Sequence, residues 1–205
     1  MNPIEKLTEA FEKFPGIGPR QARRFVQFLL HQNSLYRNTL AEDIKKLGAN
    51  TFQCKECYRW STKNGDTKNI CSICGNSHRE KAVLFVVEKD ADIENVERSG
   101  FKGLYFVLGG AIPLAADEPR KFVRLKELVA RLERDGSKLV LNEVILGLSA
   151  TSEGDHTRQI LAETIRPMSE GMNFKLTSLG RGLSTGSELE YADPDTIASA
   201  LNSRN

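Results

Sequence analysis

Apolar residues recur at helical spacing at the start of the chain and gather into short continuous runs from Ala82 onward. Ile4, Leu7, Phe11 and Phe14 fall at helical spacing and predict a first helix. Pro15-Gly16-Ile17-Gly18-Pro19 interrupts it as a tight connection. Pro19 suits the first turn of a second helix, where its missing N–H costs nothing. Ala22, Phe25, Val26, Leu29 and Leu30 form the apolar stripe of that helix, with Arg23, Arg24 and Gln27 off it. The polar stretch His31 to Asn38 predicts its end, and a short helix is expected over Ala41 to Leu47. Residues 51–79 are rich in Lys, Asn, Ser and Gly and too poor in apolar side chains to hold together by burial.

From Ala82 the pattern becomes α/β. Val83-Leu84-Phe85-Val86-Val87, Leu104-Tyr105-Phe106-Val107-Leu108 and Val144-Ile145-Leu146 read as buried strands, with a fourth at Phe174 to Leu176. Helices are expected over Asp92 to Ser99, through Phe122, Leu125, Leu128, Val129 and Leu132 as far as Asp135-Gly136, and through Ile160, Leu161, Ile165 and Met168. This alternation implies a mostly parallel sheet with helices on both faces. A glycine-rich stretch, Gly180-Arg181-Gly182-Leu183-Ser184-Thr185-Gly186, leads to a short helix opening near Asp193-Pro194. The fold class is α+β in several parts: a helical start, a cysteine segment, an α/β domain and a short C-terminal segment.

The chain has 205 residues, 40% of them hydrophobic, which supports a packed core. No run of about 18 apolar residues is present to span a membrane, and the charged N-terminus lacks the apolar stretch of a signal peptide. A soluble intracellular protein is expected. Net charge is only +2, but its distribution is uneven. Between Phe14 and Ala41 there is no Asp or Glu, while Arg20, Arg23, Arg24 and Arg37 fall there. That suits an anionic partner, or equally a solvated face neutralised from elsewhere in the fold.

Three groups of residues carry candidate chemistry. Cys54-x-x-Cys57 and Cys71-x-x-Cys74 are two knuckles joined by residues 58–70. Each gap lets two thiolates converge on one tetrahedral ion, and four thiolates leave no open position, so a structural Zn²⁺ is expected. The metal would supply the folding free energy that this polar segment lacks. The Phe14 to Arg20 connection looks like a helix-hairpin-helix: Gly16 and Gly18 let backbone approach a phosphate, the second helix aims its N–H groups there, and Arg20, Arg23 and Arg24 sit beside it. Such contacts ignore base sequence. Finally, Glu88 ends one strand while Glu153 and Asp155 follow another. Ends of parallel strands share one edge, so the three acids could converge, resembling the Toprim arrangement that binds Mg²⁺. Acids in such loops are also commonly just solvated or capping.

In order along the chain, these features resemble the RecR family of bacterial recombination mediators. The resemblance rests on Pro-Gly-Ile-Gly-Pro with its arginines, the two knuckles with Cys-Ser-Ile-Cys, Val86-Val87-Glu88, Gly103 through Ile112, Glu153-Gly154-Asp155, Arg181-Gly182-Leu183 and Leu189-Glu190-Tyr191-Ala192-Asp193. It implies a helix-hairpin-helix region over 1–52, a C4 zinc finger over 53–79, a Toprim domain over 80–176 and a C-terminal segment over 177–205. It further implies a cytoplasmic, nucleoid-associated homo-oligomer, a tetrameric ring, that binds single- and double-stranded DNA without cutting it. With RecO- and RecF-like partners, such proteins help load RecA on single-stranded gaps. On this reading the chain is not an enzyme, and Glu88, Glu153 and Asp155 form a docking surface for a basic partner and bind Mg²⁺ weakly at most. The rival is a Toprim nuclease using the same acids, with His156 as a conceivable base. A topoisomerase would need a companion domain to present one of Tyr36, Tyr58, Tyr105 or Tyr191, and the chain lacks room for it. Trp60, in the long stretch between the knuckles, has no role in either reading.

Overall fold

The computed structural model describes residues 2–63, 69–138, 141–180, 182–183, 186 and 188–202. Arg181, Ser184 and Thr185 of the glycine-rich stretch lie outside the described residues. The chain forms two compact units, Met1–Thr51 and Phe52–Asn205.

The first unit is helical. α1 (Pro3–Glu12) opens with a reciprocal cap: the Glu5 N–H donates to Asn2 Oδ1 at 2.9 Å and the Asn2 N–H to Glu5 Oε2 at 3.1 Å. α2 (Pro19–His31) starts on Pro19 as expected and buries Ala22 and Val26. The Phe11 ring meets those of Phe14 and Phe25 edge-on, each at 5.7 Å, and so ties α1 to α2. The third helix differs from expectation. α3 runs over Ser34–Asn50, so most of the stretch read as polar connection is helical. Asn33 caps it by accepting the Tyr36 N–H at 2.8 Å, and nothing between Ser34 and Ala41 breaks a helix. The polar pattern marked a helix with no buried residue, not a loop.

A two-stranded ribbon, β1 (Thr51–Gln53) and β2 (Trp60–Thr62), starts on the last residue of the first unit and opens the second. The α/β part follows: β3 (Glu80–Val87), α4 (Asp90–Arg98), β4 (Gly103–Val107), α5 (Leu125–Ser137), β5 (Glu143–Gly147), α6 (Ser152–Met172), β6 (Lys175–Ser178) and α7 (Pro194–Asn202). Four strands pair in parallel in the order β4-β3-β5-β6, with Phe85 opposite both Tyr105 and Ile145. Alternation divides the strands between two cores. Leu84, Val86, Phe106, Val144 and Leu146 pack with Leu128 and Leu132 of α5 and Leu161 and Ile165 of α6. Phe85, Val87, Tyr105 and Val107 pack with Ile93 of α4 on the other face. Helices therefore cover both faces, as the alternating pattern required.

Two boundaries depart from the sequence reading. α5 starts at Leu125, leaving Phe122 outside and exposed, and continues through Gly136 to Ser137. Gly136 is a packing glycine rather than a stop: a Cβ there would lie 2.4 Å from Met172 Sδ. α6 already begins at Ser152, so Glu153 and Asp155 occupy a helical first turn instead of a loop. Thr151 caps that turn by accepting the Gly154 N–H at 3.1 Å. No helix among the described residues is long and apolar enough to cross a membrane.

Candidate functional site

The ribbon brings the cysteines together. Cys54, Cys57 and Cys71 are buried and Cys74 is partly so, and the four Sγ atoms all lie within 4.8 Å of one another. Cys57 and Cys71 Sγ are 3.6 Å apart. Four thiolates about 2.3 Å from one tetrahedral ion would stand about 3.8 Å from each other, so the donor set fits a single metal ion. Backbone N–H groups also point at the sulfurs, Cys71 N–H to Cys54 Sγ at 3.3 Å and Cys74 N–H to Cys71 Sγ at 3.5 Å. The contact with Cys57 pulls the Cys54 thiol below its ordinary range, toward the thiolate. Tyr58 turns the first knuckle at φ 62°, in the left-handed region.

The first knuckle is fastened to the sheet. The Val107 N–H donates to the Cys57 carbonyl at 2.8 Å, and the Tyr58 ring packs edge-on against Phe106 at 5.4 Å with the Arg124 guanidinium 5.5 Å above it. Arg131 of α5, its side chain 6% exposed, donates Nη1–H to the Glu56 carbonyl at 2.6 Å and Nε–H to Asp135 at 2.5 Å. Burial raises the Asp135 pKa, but hydrogen bonds from Arg131 and Arg134 overcome it and leave the carboxyl below its usual value. Sequence reasoning missed Arg131. Its signal was an arginine at i+3 from Leu128 on the buried stripe of α5, where a charge persists only if paired.

At the hairpin, Gly16 takes φ +76°, and neither Gly16 nor Gly18 has any atom within 4 Å of where a Cβ would stand. The backbone surface there is open. Pro19 has no N–H, and both the Gln21 and Ala22 N–H groups donate to the Gly18 carbonyl at 3.0 Å. Among the described residues, nothing accepts from the Gly18 or Arg20 N–H. Arg20, Arg23 and Arg24 are exposed, and no ion pair among the described residues joins them to a carboxylate. Arg37 differs: its guanidinium donates to the Leu29 and Gln32 carbonyls at the far end of α2 and caps that helix.

Glu88, Glu153 and Asp155 share the strand-end edge but do not pack as one tight ligand cluster. The four cysteines are the one group of three or more His, Cys, Asp or Glu so tightly placed among the described residues. Glu88 lies between the ends of β3 and β5, where the strand order reverses, but it is 5% exposed. Its oxygens accept the Ser149 N–H and the Ser149 hydroxyl, each at 2.8 Å. Glu88 is thus a buried anchor of the turn before α6 and not an exposed acid. Gly154 permits this, since a Cβ would fall 2.0 Å from the Ser149 carbonyl oxygen and 3.2 Å from Glu88 Oε1. Asp155 pairs with Arg158, and Glu153 is exposed. Among the described residues, nothing hydrogen-bonds to the His156 imidazole.

Residues 4–47 match the RecR helix-hairpin-helix, 82–177 the Toprim domain and 182–205 the RecR C-terminal region. The recombination protein RecR of Herpetosiphon aurantiacus is 39% identical over 204 residues, covering 98% of this chain and 93% of the relative. That of Rickettsia bellii is 35% identical over 99% of this chain and 96% of the relative. The chain belongs to the RecR family. Its RecR motifs have definite places in the fold. The run from Gly103 forms β4 and then turns through Gly109 and Gly110, both at positive φ. The Ile112 N–H at its end donates to Thr157 Oγ1 of α6 at 2.8 Å, tying this RecR loop to the helix that carries Glu153 and Asp155. Leu189–Tyr191 forms a single 3-10 turn before α7.

Proposed function

We propose that this chain is a non-catalytic, DNA-binding recombination mediator. The hairpin carries the reading: open backbone at Gly16 and Gly18, unfilled N–H groups at the start of α2, and three exposed arginines without acidic partners. This is an anion-binding geometry with no element to read bases, so it suits phosphates of single- or double-stranded DNA irrespective of sequence. Residues 1–52 would bind DNA, 53–79 would hold a structural Zn²⁺ on Cys54, Cys57, Cys71 and Cys74, 80–176 would form the Toprim platform, and 177–205 the C-terminal segment. Family membership supports action with RecO- and RecF-like proteins in loading RecA on single-stranded gaps, within the cytoplasm at the nucleoid.

Against the nuclease reading, both Glu88 oxygens are held by Ser149 and Asp155 faces Arg158. Tyr105 is fully buried and its hydroxyl donates to Glu97 at 2.6 Å, so it is no nucleophile. Glu153 and Asp155 instead suit a basic partner protein, with Glu88 fixing the turn that presents them, and Mg²⁺ bound weakly at most. With labelled single- and double-stranded DNA and added Mg²⁺, the expected result is binding without cleavage. Changing Glu153 and Asp155 together to Ala should leave DNA affinity intact or slightly raised. Metal-dependent cleavage that disappears in this double variant would restore the enzyme.

A ring-like homo-oligomer, tetrameric by family, is part of the proposal. Ile4 and Leu7 of α1 and Leu35, Tyr36, Leu40, Ile44 and Leu47 of α3 are all more than a third exposed, more apolar surface than a small helical unit leaves uncovered without reason. Sedimentation is expected to show an oligomer across the micromolar range. A monomer throughout would count against the ring.

A further inference from the structure

Trp60 is the single tryptophan of the chain, and it is 58% exposed on β2 of the metal ribbon. Among the described residues it belongs to neither core and stacks on no other ring. A large indole left in water forfeits the stabilisation that burial would give it. Its placement is nevertheless firm. The Cys54 N–H donates to the Arg59 carbonyl at 2.8 Å and closes the hairpin, which sets Gln53 opposite Trp60. The Trp60 N–H donates to Asp90 Oδ1 at 2.9 Å, fastening β2 to the start of α4. The exposure pattern of β2 puts Trp60 and Thr62 on the outer face, with Ser61 turned inward. Lys55 and Lys63 are exposed at either end of the hairpin.

We propose that Trp60 is a stacking platform for one base of single-stranded DNA. A fixed, exposed indole with amide and hydroxyl side chains on its own face and the Lys55 cation at the margin matches the three parts of a strand: base face, base edge and phosphate. An aliphatic surround would instead fit a protein or a lipid surface; the described residues that share the outer face of the ribbon with Trp60 are Gln53 and Thr62, both polar. Paired bases are already stacked on their neighbours, so the platform selects unpaired strands. The Asp90 carboxylate accepts the Trp60 N–H, and the charges of Arg59 and Arg124 act on it together with that of Asp92.

The inference rests on the DNA-binding reading and deepens it, because the hairpin binds phosphates and cannot itself tell a gap from a duplex. The test titrates the metal-loaded full chain with a thymidine oligonucleotide and with a blunt duplex of equal length, following tryptophan emission and, separately, DNA mobility. The oligonucleotide should quench the emission and the duplex should bind without quenching. Trp60→Ala should weaken single-strand affinity about tenfold, with the duplex affinity and the salt slope unchanged, and Trp60→Phe should recover most of the loss. Single-strand binding with unmoved emission, or with wild-type affinity in Trp60→Ala, overturns the platform and leaves the hairpin reading standing. Emission that responds to protein concentration and not to DNA places Trp60 between copies of the chain and also overturns it. Failure to bind either DNA overturns both readings. If Trp60→Ala loses metal, the wild-type quench and Trp60→Phe decide.

Discussion

Changing Cys71 to Ser is expected to abolish stoichiometric metal and to unfold the ribbon while the parallel sheet survives. Structural zinc contributes roughly 10–16 kcal/mol of apparent binding free energy in small finger peptides. Here the described ribbon has Phe52 and the cysteines themselves for a core, with Ile73 packed against them, and little else to replace that contribution. The sheet has two separate cores of its own and should persist. Damage should nevertheless reach α5. Once the knuckle loosens, Arg131 loses the Glu56 carbonyl and is left a buried cation with Asp135 alone. The check is elemental analysis with hydrogen exchange: the wild type should carry one metal per chain, and the variant none, with fast exchange over residues 51–79. Acid should act in the same direction, because protons compete with the metal for thiolate. Wild-type protein purified without chelator and found free of metal would overturn the site.

Changing Arg20, Arg23 and Arg24 together should flatten the salt dependence of DNA binding. Each phosphate contact contributes a slope of about 0.7 on single strands and about 0.9 on duplex, so three contacts predict a loss of roughly two to three units. The hairpin should still fold, because all three side chains are exposed while Ala22 and Val26 are buried and the Phe11 and Phe25 rings meet edge-on between α1 and α2. Affinity should fall equally on unrelated sequences, since phosphate contacts carry no sequence information. A folded triple variant with the wild-type slope would remove the hairpin from the DNA surface. A matching change of Arg37 should have little effect on the slope, because its guanidinium already serves the α2 carbonyls.

Much of this protein was legible along the chain because the relevant signals are local. Two Cys-x-x-Cys knuckles place thiolates in pairs by spacing alone. Gly16 and Pro19 fix a turn and a helix start through their own backbone limits. Continuous runs such as Val83 to Val87 mark strands buried on both faces. The third helix was read too short because helix without a buried face has no apolar period to detect.

What the tertiary structure alone decided concerns charges whose partners are distant in sequence. Glu88 was placed correctly at a strand end, but its role depends on Ser149, 61 residues away, and on the missing Cβ of Gly154. Arg131 looks like one arginine among many until Glu56, 75 residues away, supplies its acceptor. Whether a charged side chain is a surface group, a buried anchor or an open ligand is set by how far water is excluded around it and by which polar atoms replace that water. Sequence determines which groups are available and the backbone that carries them, while packing between distant segments determines which of those groups remain free to act.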